Sequence, residues 1–302
     1  MKLKKSTPIY RIFAILTLII ISGNAVLAGA SPDTGRKNII LAAYSAPKEK
    51  TACIIKDINV VFPDVLTGNE DQSLDYIEKY CKSHRDYLIR THERSKKFFP
   101  KAAVILKKHN LPEELKVLLA LESAFKANAV SSAGAVGYWQ FMDDVAKEYG
   151  LRTVQQLTPQ EKKKLIRKGG KKAEASIRAM ARQKDDRRNF NKATYAAARY
   201  LKDRSRNLDN DILLMVASYN CGIGNVWNAI NASGKDDATF WDIKDRLPAE
   251  TRAYVMNFIT LNVVFNNYDK FIDNSLSFKQ VKENAMPGDI NLTDEQLMSG
   301  TL

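Results

Sequence analysis

The sequence predicts a mainly α-helical protein. Apolar residues recur at intervals of three, four and seven positions in several long segments, which is the spacing of one buried helical face. No segment shows the sustained alternation of apolar and polar residues that is typical of a half-buried strand, and the sequence contains no internal repeat. The clearest helical patterns cover residues 74–99, 110–125, 191–203, 211–219 and 250–266.

The first 28 residues have the composition of a secretory signal peptide. A basic start, Lys2 to Lys5, precedes the apolar run Ile12–Ile21, and Val26-Leu27-Ala28 supplies a plausible cleavage site. The apolar run is too short for an ordinary spanning helix, although an uncleaved anchor stays open as an alternative. We therefore expect an exported protein that is periplasmic or associated with the cell envelope.

The rest of the chain divides by composition. Residues 29–52 are small and polar and read as a flexible leader, and the last thirty residues are polar and read as a tail. Between them lies a strongly patterned helical region. We expect a signal peptide at 1–28, a leader at 29–52, a helical lead-in at 53–97, a main domain at 98–270 and a C-terminal tail at 271–302.

The chain is strongly basic. Its 47 lysines and arginines outnumber 34 acidic residues, which gives a formal net charge of +13. Such a charge suits an anionic polymer, and it allows a peripheral contact with a membrane or a cell wall. Export argues against nucleic acid as the partner, and no nucleic-acid-binding motif is present. The sequence leaves the oligomeric state open.

Cysteine and histidine are scarce, with three of each. Too few ligands lie at metal-binding spacings to build a structural zinc site, so neither a metal nor another cofactor is expected. In an oxidising compartment, the simplest arrangement is one disulfide and one free thiol. We expect Cys53 to pair with Cys81, because Cys221 lies in a different motif. Three reduced thiols are the alternative.

The helix at residues 110–125 carries a carboxylate on its apolar face. Leu111, Leu115 and Leu118 mark that face, and Glu122 occupies its next position. A carboxyl group in apolar surroundings keeps its proton to a higher pH, which makes it a candidate general acid. The alternative is that Glu122 ends the stripe and reaches solvent.

The segment after this helix has the composition of a sugar-binding loop. Gly134 and Gly137 allow positive φ angles and a close approach of the backbone to a ligand. The run Tyr138–Met142 then combines flat apolar rings with the amide of Gln140. Rings stack on the C–H faces of sugars, and amides pair with sugar hydroxyls.

Residues 152–188 form the most charged stretch of the chain. Lysines and arginines surround a Gly169-Gly170 break, and this composition cannot build a core. We expect an exposed helical excursion that favours an anionic wall and takes no part in chemistry. The alanine-rich helix at 191–203, the helix at 211–219 and the long helix at 250–266 follow it.

Five motifs, in this order and at about these spacings, resemble the soluble (SLT) type of lytic transglycosylase catalytic domain over roughly residues 98–268. They are Glu122-Ser123, Gly134-x-x-Gly137-x-Trp139-Gln140-Phe141-Met142, Ala197-x-x-Tyr200-Leu201, Ser218-Tyr219-Asn220-x-Gly222 and Leu247-Pro248-x-Glu250-Thr251-x-x-Tyr254-Val255. The resemblance implies a lysozyme-like helical bundle. It also implies cleavage of the MurNAc–GlcNAc β-1,4 bond of peptidoglycan glycan strands, with 1,6-anhydro ends formed by a single glutamate.

The resemblance assigns the catalytic role to Glu122. Substrate-binding roles are implied for Ser131, Gln140, Met142, Tyr200, Tyr219, Asn220 and Glu250. Ordinary alternatives stay open for these residues: Met142 and Tyr200 suit a core, Asn220 suits a helix cap, and Glu250 suits a first helical turn. At the level of function, the alternatives are a goose-type hydrolytic lysozyme on the same bundle and a catalytically inactive wall-binding protein.

Overall fold

The computed structural model of the chain describes residues 53–154, 157, 159–279 and 281–284, and in these residues the predicted mainly α-helical architecture is confirmed. The expected signal peptide, leader and the last eighteen residues of the tail lie outside the described residues. The helices are α1 (Glu70–Ser83), α2 (Arg85–Ser95), α3 (Phe99–Lys108), α4 (Leu118–Ser123), α5 (Asp143–Glu148), α6 (Pro159–Arg182), α7 (Phe190–Asn207), α8 (Ile212–Cys221), α9 (Ile223–Ser233), α10 (Phe240–Ile243), α11 (Ala249–Asn266) and α12 (Tyr268–Ile272).

Two short strands accompany the helices. Cys53–Lys56 (β1) pairs antiparallel with Val281–Asn284 (β2), with Cys53 opposite Asn284. These strands belong to one compact unit, and residues 59–278 form another. The expected helical lead-in therefore starts with a strand at 53–56, and its helices, α1 and α2, pack against α11 within the helical unit. These strands are not predicted from the sequence, because four residues are too few to show a period.

The centre of the helical unit is built from α8 and α11. Residues 212–218 of α8 are buried in succession, as expected for a helix that is apolar all round and surrounded by others. Asp211 caps this helix by accepting hydrogen bonds from the amides of Leu213 and Leu214, each at 2.9 Å. Because α7, α9 and α11 pack around α8, its last residues are held firmly in the interior.

Helix α6 is exposed along most of its length, as predicted. It contains a sharp break at Gly170, where φ is 52° and ψ is −140°, so it consists of two arms (residues 159–169 and 171–182). A residue with a side chain would be strained at this φ, which explains the glycine. The spacing of Thr158 and Glu161 predicts a capping box at the start of this helix, but Thr158 lies outside the described residues.

The C-terminal end of the basic stretch contradicts the expectation of a solvated segment. Arg187 is only 1% exposed. Its guanidinium donates to Asp185 at 2.7 Å, to the Val154 carbonyl oxygen at 3.1 Å and to the Phe141 carbonyl oxygen at 3.3 Å. A buried charge is tolerated when it is paired and hydrogen-bonded, and these partners come from three separate parts of the chain.

Two further expectations need correction. The expected tail contributes to the core at its start, because Phe271 and Phe278 are both buried in the helical unit. The expected Cys53–Cys81 disulfide is wrong: Cys81 is a free thiol on the core-facing side of α1, with 7% of its surface exposed. A small apolar side chain satisfies that position without a cross-link.

Among the described helices, none combines the length and the apolar character needed to cross a membrane.

Candidate active site

Glu122 lies at the end of a short helix whose other face is fully buried. Leu115, Leu118 and Leu119 have no exposed surface, as the apolar stripe predicted. One turn of 3-10 helix, Glu113–Val117, precedes α4. The chain leaves α4 through Ala124, whose φ is 47°, so the helix stops almost immediately after the glutamate. This ending leaves the half-buried Glu122 facing an open groove rather than another turn of helix.

The carboxyl group of Glu122 is held by a tyrosine from α11. The Tyr254 hydroxyl donates a hydrogen bond of 2.5 Å to Oε1. Burial raises the pKa of Glu122 to about 7, the hydrogen bond from Tyr254 opposes the rise, and the negative charge of Glu250 adds to it. A carboxyl group with this pKa can both donate and accept a proton near neutral pH.

A groove of about 530 Å³ surrounds this carboxyl group. Seven of the eight residues singled out from the sequence line it: Glu122, Ser131, Gln140, Met142, Tyr200, Tyr219 and Asn220. They come from four different parts of the fold, so residues that are far apart in the sequence are brought together by folding. Among the described residues that line the groove, Glu122 is the one carboxylate.

The loop wall of the groove is fastened by the same polar side chains that were expected to meet the substrate. Gln140 has a φ of 48°, and its amide nitrogen donates to the carbonyl oxygens of Gly137 at 2.8 Å and Ala129 at 3.2 Å. The Ser131 hydroxyl accepts from the Ala135 amide at 3.0 Å. The Ser123 hydroxyl donates to the Tyr138 carbonyl oxygen at 2.9 Å and ties the loop to α4. Loop closure is therefore part of what Gln140 and Ser131 do.

The opposite wall is aromatic. Tyr200 and Tyr219 meet edge to face with ring centroids 5.4 Å apart, and the Tyr219 hydroxyl donates to the Trp139 carbonyl oxygen at 2.7 Å. Asn220 is buried and its Oδ1 accepts from the Thr251 hydroxyl at 2.7 Å. These bonds fix the end of α8 against the loop and against α11.

Glu250 is the one predicted site residue that does not line the groove. It lies in the first turn of α11, and its Oε1 is buried with no hydrogen-bond partner among the described residues. Burial raises its pKa, and its charge in turn acts on Glu122. The structure thus places Glu250 near enough to affect the pKa of Glu122, but not among the described residues that line the groove.

Two contacts of the site were not predicted. Tyr254 was part of a recognised motif but had no role assigned, and it proves to be the hydrogen-bond donor to Glu122. Gly137 was expected to let the backbone approach a ligand. A Cβ there would lie 2.0 Å from the Arg187 carbonyl oxygen, so the close approach is between two segments of the protein.

Metal-ligating groups do not cluster in the described part of the chain: no group of three or more histidine, cysteine or acidic side chains could hold an ion.

Part of the chain is similar to a described protein family. Residues 101–241 match the family model described as "Transglycosylase SLT domain". The chain is 30% identical over 197 residues to membrane-bound lytic murein transglycosylase D of Escherichia coli strain K12, and equally so to the protein of that name from Escherichia coli O6:H1. Each alignment covers 64% of this chain and 37% of the relative, so the chain spans well under half the length of these relatives.

Among solved structures, the X-ray structure of an inactive mutant of the lytic transglycosylase Slt from Pseudomonas aeruginosa is 21% identical, with a TM-score of 0.35. That match covers 60% of this chain and 25% of the other. The family model falls on the residues that carry four of the five sequence motifs, together with the α4 glutamate and most of its groove. Residues 101–241 of the chain are thus similar to the transglycosylase SLT domain.

Proposed function

We propose that the protein is a peptidoglycan lytic transglycosylase that cleaves the MurNAc-β-1,4-GlcNAc bond and leaves 1,6-anhydroMurNAc ends. The observation that carries the proposal is the environment of Glu122. Its carboxyl group is half-buried with a pKa of about 7, and Glu122 is the one acidic residue among the described residues that line the groove. The similarity of residues 101–241 to the SLT family model and the names of the curated relatives support the same reaction.

A single carboxyl group is enough for this reaction because the substrate supplies its own nucleophile. Protonated Glu122 gives its proton to the glycosidic oxygen as the bond to the sugar breaks. The resulting carboxylate then takes the proton of the C6 hydroxyl, whose oxygen closes the anhydro ring, and Glu122 returns to its starting state. The tethered hydroxyl reacts quickly because no second molecule has to be positioned. Most glycosidases instead need two carboxyl groups.

Tyr254 is suited to stabilise Glu122 at the stage of the cycle in which the carboxyl group is ionised. Its hydroxyl donates to Oε1, and a donor stabilises the ionised carboxylate more than the neutral acid. Burial favours the neutral acid that starts the cycle. These opposed effects bring the two protonation states of Glu122 close in free energy, as a group that works in both directions requires.

The rest of the groove suits a glycan strand. Tyr200, Tyr219 and Met142 offer apolar surface, and Asn220, Gln140 and Ser131 offer polar groups at the same walls. Sugars bind to such mixtures because their rings have C–H faces and their edges carry hydroxyls. In this proposal, the negative charge of Glu250 adds to the effect of burial and raises the pKa of Glu122 further.

The proposal includes the place of action. The signal-peptide pattern of residues 1–28 and the name of the curated relatives, which are membrane-bound proteins, favour a periplasmic or envelope-associated enzyme. Catalysis is assigned to the domain at 98–270, with the helices of the 53–97 lead-in packed against α11 as its support.

Mass spectrometry of the products released from purified sacculi tests the reaction. Wild-type protein is expected to release muropeptides with 1,6-anhydro ends. Glu122→Gln keeps the shape and removes the transferable proton, so release is expected to fall by roughly 10²–10⁴. Reducing ends would identify a goose-type hydrolase instead. No release by the wild type, with binding retained, would identify an inactive wall-binding protein.

A further inference from the structure

A second cavity, of about 730 Å³, lies between helix α6 and the start of α7. Both arms of α6 line it, the first through Lys162 and the second through Ile177 and Met180. The break at Gly170 therefore folds α6 into a helical hairpin with a hollow on its inner side. Cavities of this size hold small ligands or a few residues of a peptide.

The cavity is lined by more positive charge than negative. Among the described residues that line it, five side chains are cationic, and the two carboxylates, Asp185 and Asp186, are already paired. The cations are Arg152, Lys162, Lys184, Arg188 and Lys192.

Asp186 organises the floor of this cavity. It accepts from the guanidinium of Arg152 at 3.1 Å and from the ammonium of Lys192 at 2.9 Å. Burial opposes ionisation, but these bonds lower the pKa of Asp186 to about 2, so it stays charged and keeps both cations in place. Lys162 and Lys184, in contrast, form no ion pair within the described residues.

Apolar side chains of the hairpin point into the same cavity. Ile177 and Met180 are half-buried and line it together with the buried Val154. Of the large apolar residues of α6, only Leu165 is strongly exposed, at 43%. A helix that lies on a membrane turns its apolar face outwards to the lipid. Here the apolar side chains are turned inwards, which favours a concave site for a small flexible ligand over a membrane contact.

The cavity and the catalytic groove share a wall. The guanidinium of Arg188 donates to the side chain of Asn128 at 2.9 Å, and Ala129, the next residue, lines the groove. The backbone of Gly137 also approaches the Arg187 carbonyl oxygen closely. This is a second contact between the loop beside the groove and the segment beside the cavity. A residue that lines the cationic cavity therefore contacts a residue next to the groove wall.

We propose that this cavity binds the carboxylate groups of a peptide stem attached to the glycan strand held in the groove. The inference rests on the proposed function, because peptidoglycan carries its peptides as short branches on every second sugar. Such stems combine small apolar residues with free carboxylates, which matches the inward-facing apolar side chains and the two lysines without an ion pair, Lys162 and Lys184. The cavity makes the enzyme prefer peptide-bearing strands to bare glycan.

The preference can be measured by comparing strands that keep their stems with strands stripped by an amidase. The test variant is Lys162→Gln with Lys184→Gln. The matched control is Lys163→Gln with Lys164→Gln, which removes the same charge from the exposed surface of the chain without touching the residues that line the cavity. For the test variant, KM on peptide-bearing strands is expected to rise roughly 3- to 10-fold, the effect of losing two partly exposed charge contacts. Its kcat, and its KM on bare glycan, should stay near the wild-type values.

The control variant is expected to keep the wild-type ratio of the two KM values. An unchanged ratio in the test variant would overturn the proposal while leaving the glycan-cleaving function intact. A wild type that cleaves neither substrate would instead remove the proposed function on which it rests. Binding to phosphatidylglycerol vesicles is measured in parallel. Loss of vesicle binding in the test variant, with the KM ratio unchanged, would assign the cavity to lipid headgroups and overturn the proposal as well.

Discussion

Replacing Tyr254 by phenylalanine tests the link between the tyrosine and the acid. The change removes one hydroxyl and keeps the aromatic ring. Tyr254 lies on α11, and only 5% of its surface is exposed. The lost hydrogen bond is the contact that lowers the pKa of Glu122 against the effect of burial. Its removal should therefore raise the pKa and keep Glu122 protonated at higher pH.

The size of the effect follows from the kind of bond. A hydrogen bond to a charged acceptor contributes about 1.5–3 kcal/mol, and about 1.4 kcal/mol is a tenfold change in an equilibrium. The ratio of protonated to ionised Glu122 at a given pH should thus rise at least about tenfold. Since the carboxylate also loses its stabilising partner during the cycle, kcat at the optimum pH should fall as well.

The assay is the pH profile of kcat/KM on soluble glycan. The wild-type rate is expected to decline above about pH 7, where Glu122 loses its proton. For Tyr254→Phe, this decline should begin at a higher pH. Tyr87→Phe is the control. Tyr87 lines the same groove, but its hydroxyl forms a hydrogen bond with the side chain of Thr91. A decline that stays in place, or moves to lower pH, in Tyr254→Phe would refute the coupling of the two groups.

Three other predictions concern stability and cofactors. Gly137→Ala should lower Tm by at least about 4 °C, because the left-handed φ costs about 1–2 kcal/mol and the new Cβ meets the Arg187 carbonyl oxygen; an unchanged melting curve would contradict the contact. Glu122→Gln should raise Tm at pH 8.5. The folded-state pKa of Glu122 lies above its unfolded value, so the wild type loses stability as pH rises through about 7, and the two melting temperatures should converge below pH 4.5. EDTA should leave cleavage unchanged, and strong inhibition would indicate a metal.

The sequence was sufficient where a local pattern determined the structure. The leucines before Glu122 predicted a buried stripe that ends in an acid, because helical periodicity alone places these residues on one side. The glycine that follows Asn220 and Cys221 likewise indicated where α8 ends, and the helix does end at Cys221, with Gly222 as its C-cap. The positions of α7, α8 and α11 could be predicted for this reason.

The sequence was insufficient where a partner far along the chain determines the contacts of a residue. Tyr254 lies 132 residues from Glu122, and nothing local to either one indicates the hydrogen bond. Arg187 lies near the end of a run of charged residues, so the local composition predicts exposure to solvent. Its burial depends instead on Asp185 and on two carbonyl oxygens elsewhere in the chain. Gln140 could be placed in the groove, but its hydrogen bonds to the loop depend on backbone geometry that composition does not show.

The two ends of the α6 hairpin are joined to each other at its base. The Asp186 amide donates to the Arg152 carbonyl oxygen at 2.8 Å, and the Val154 amide donates to Asp185 at 3.2 Å. The roughly thirty residues between these pairs thus leave and re-enter the domain at one closed junction. Such a segment can be lengthened, shortened or exchanged in evolution, or replaced by a short linker in the laboratory, while the groove keeps its shape. The part of the molecule that holds the acid and the part that carries the charge are free to diversify at different rates.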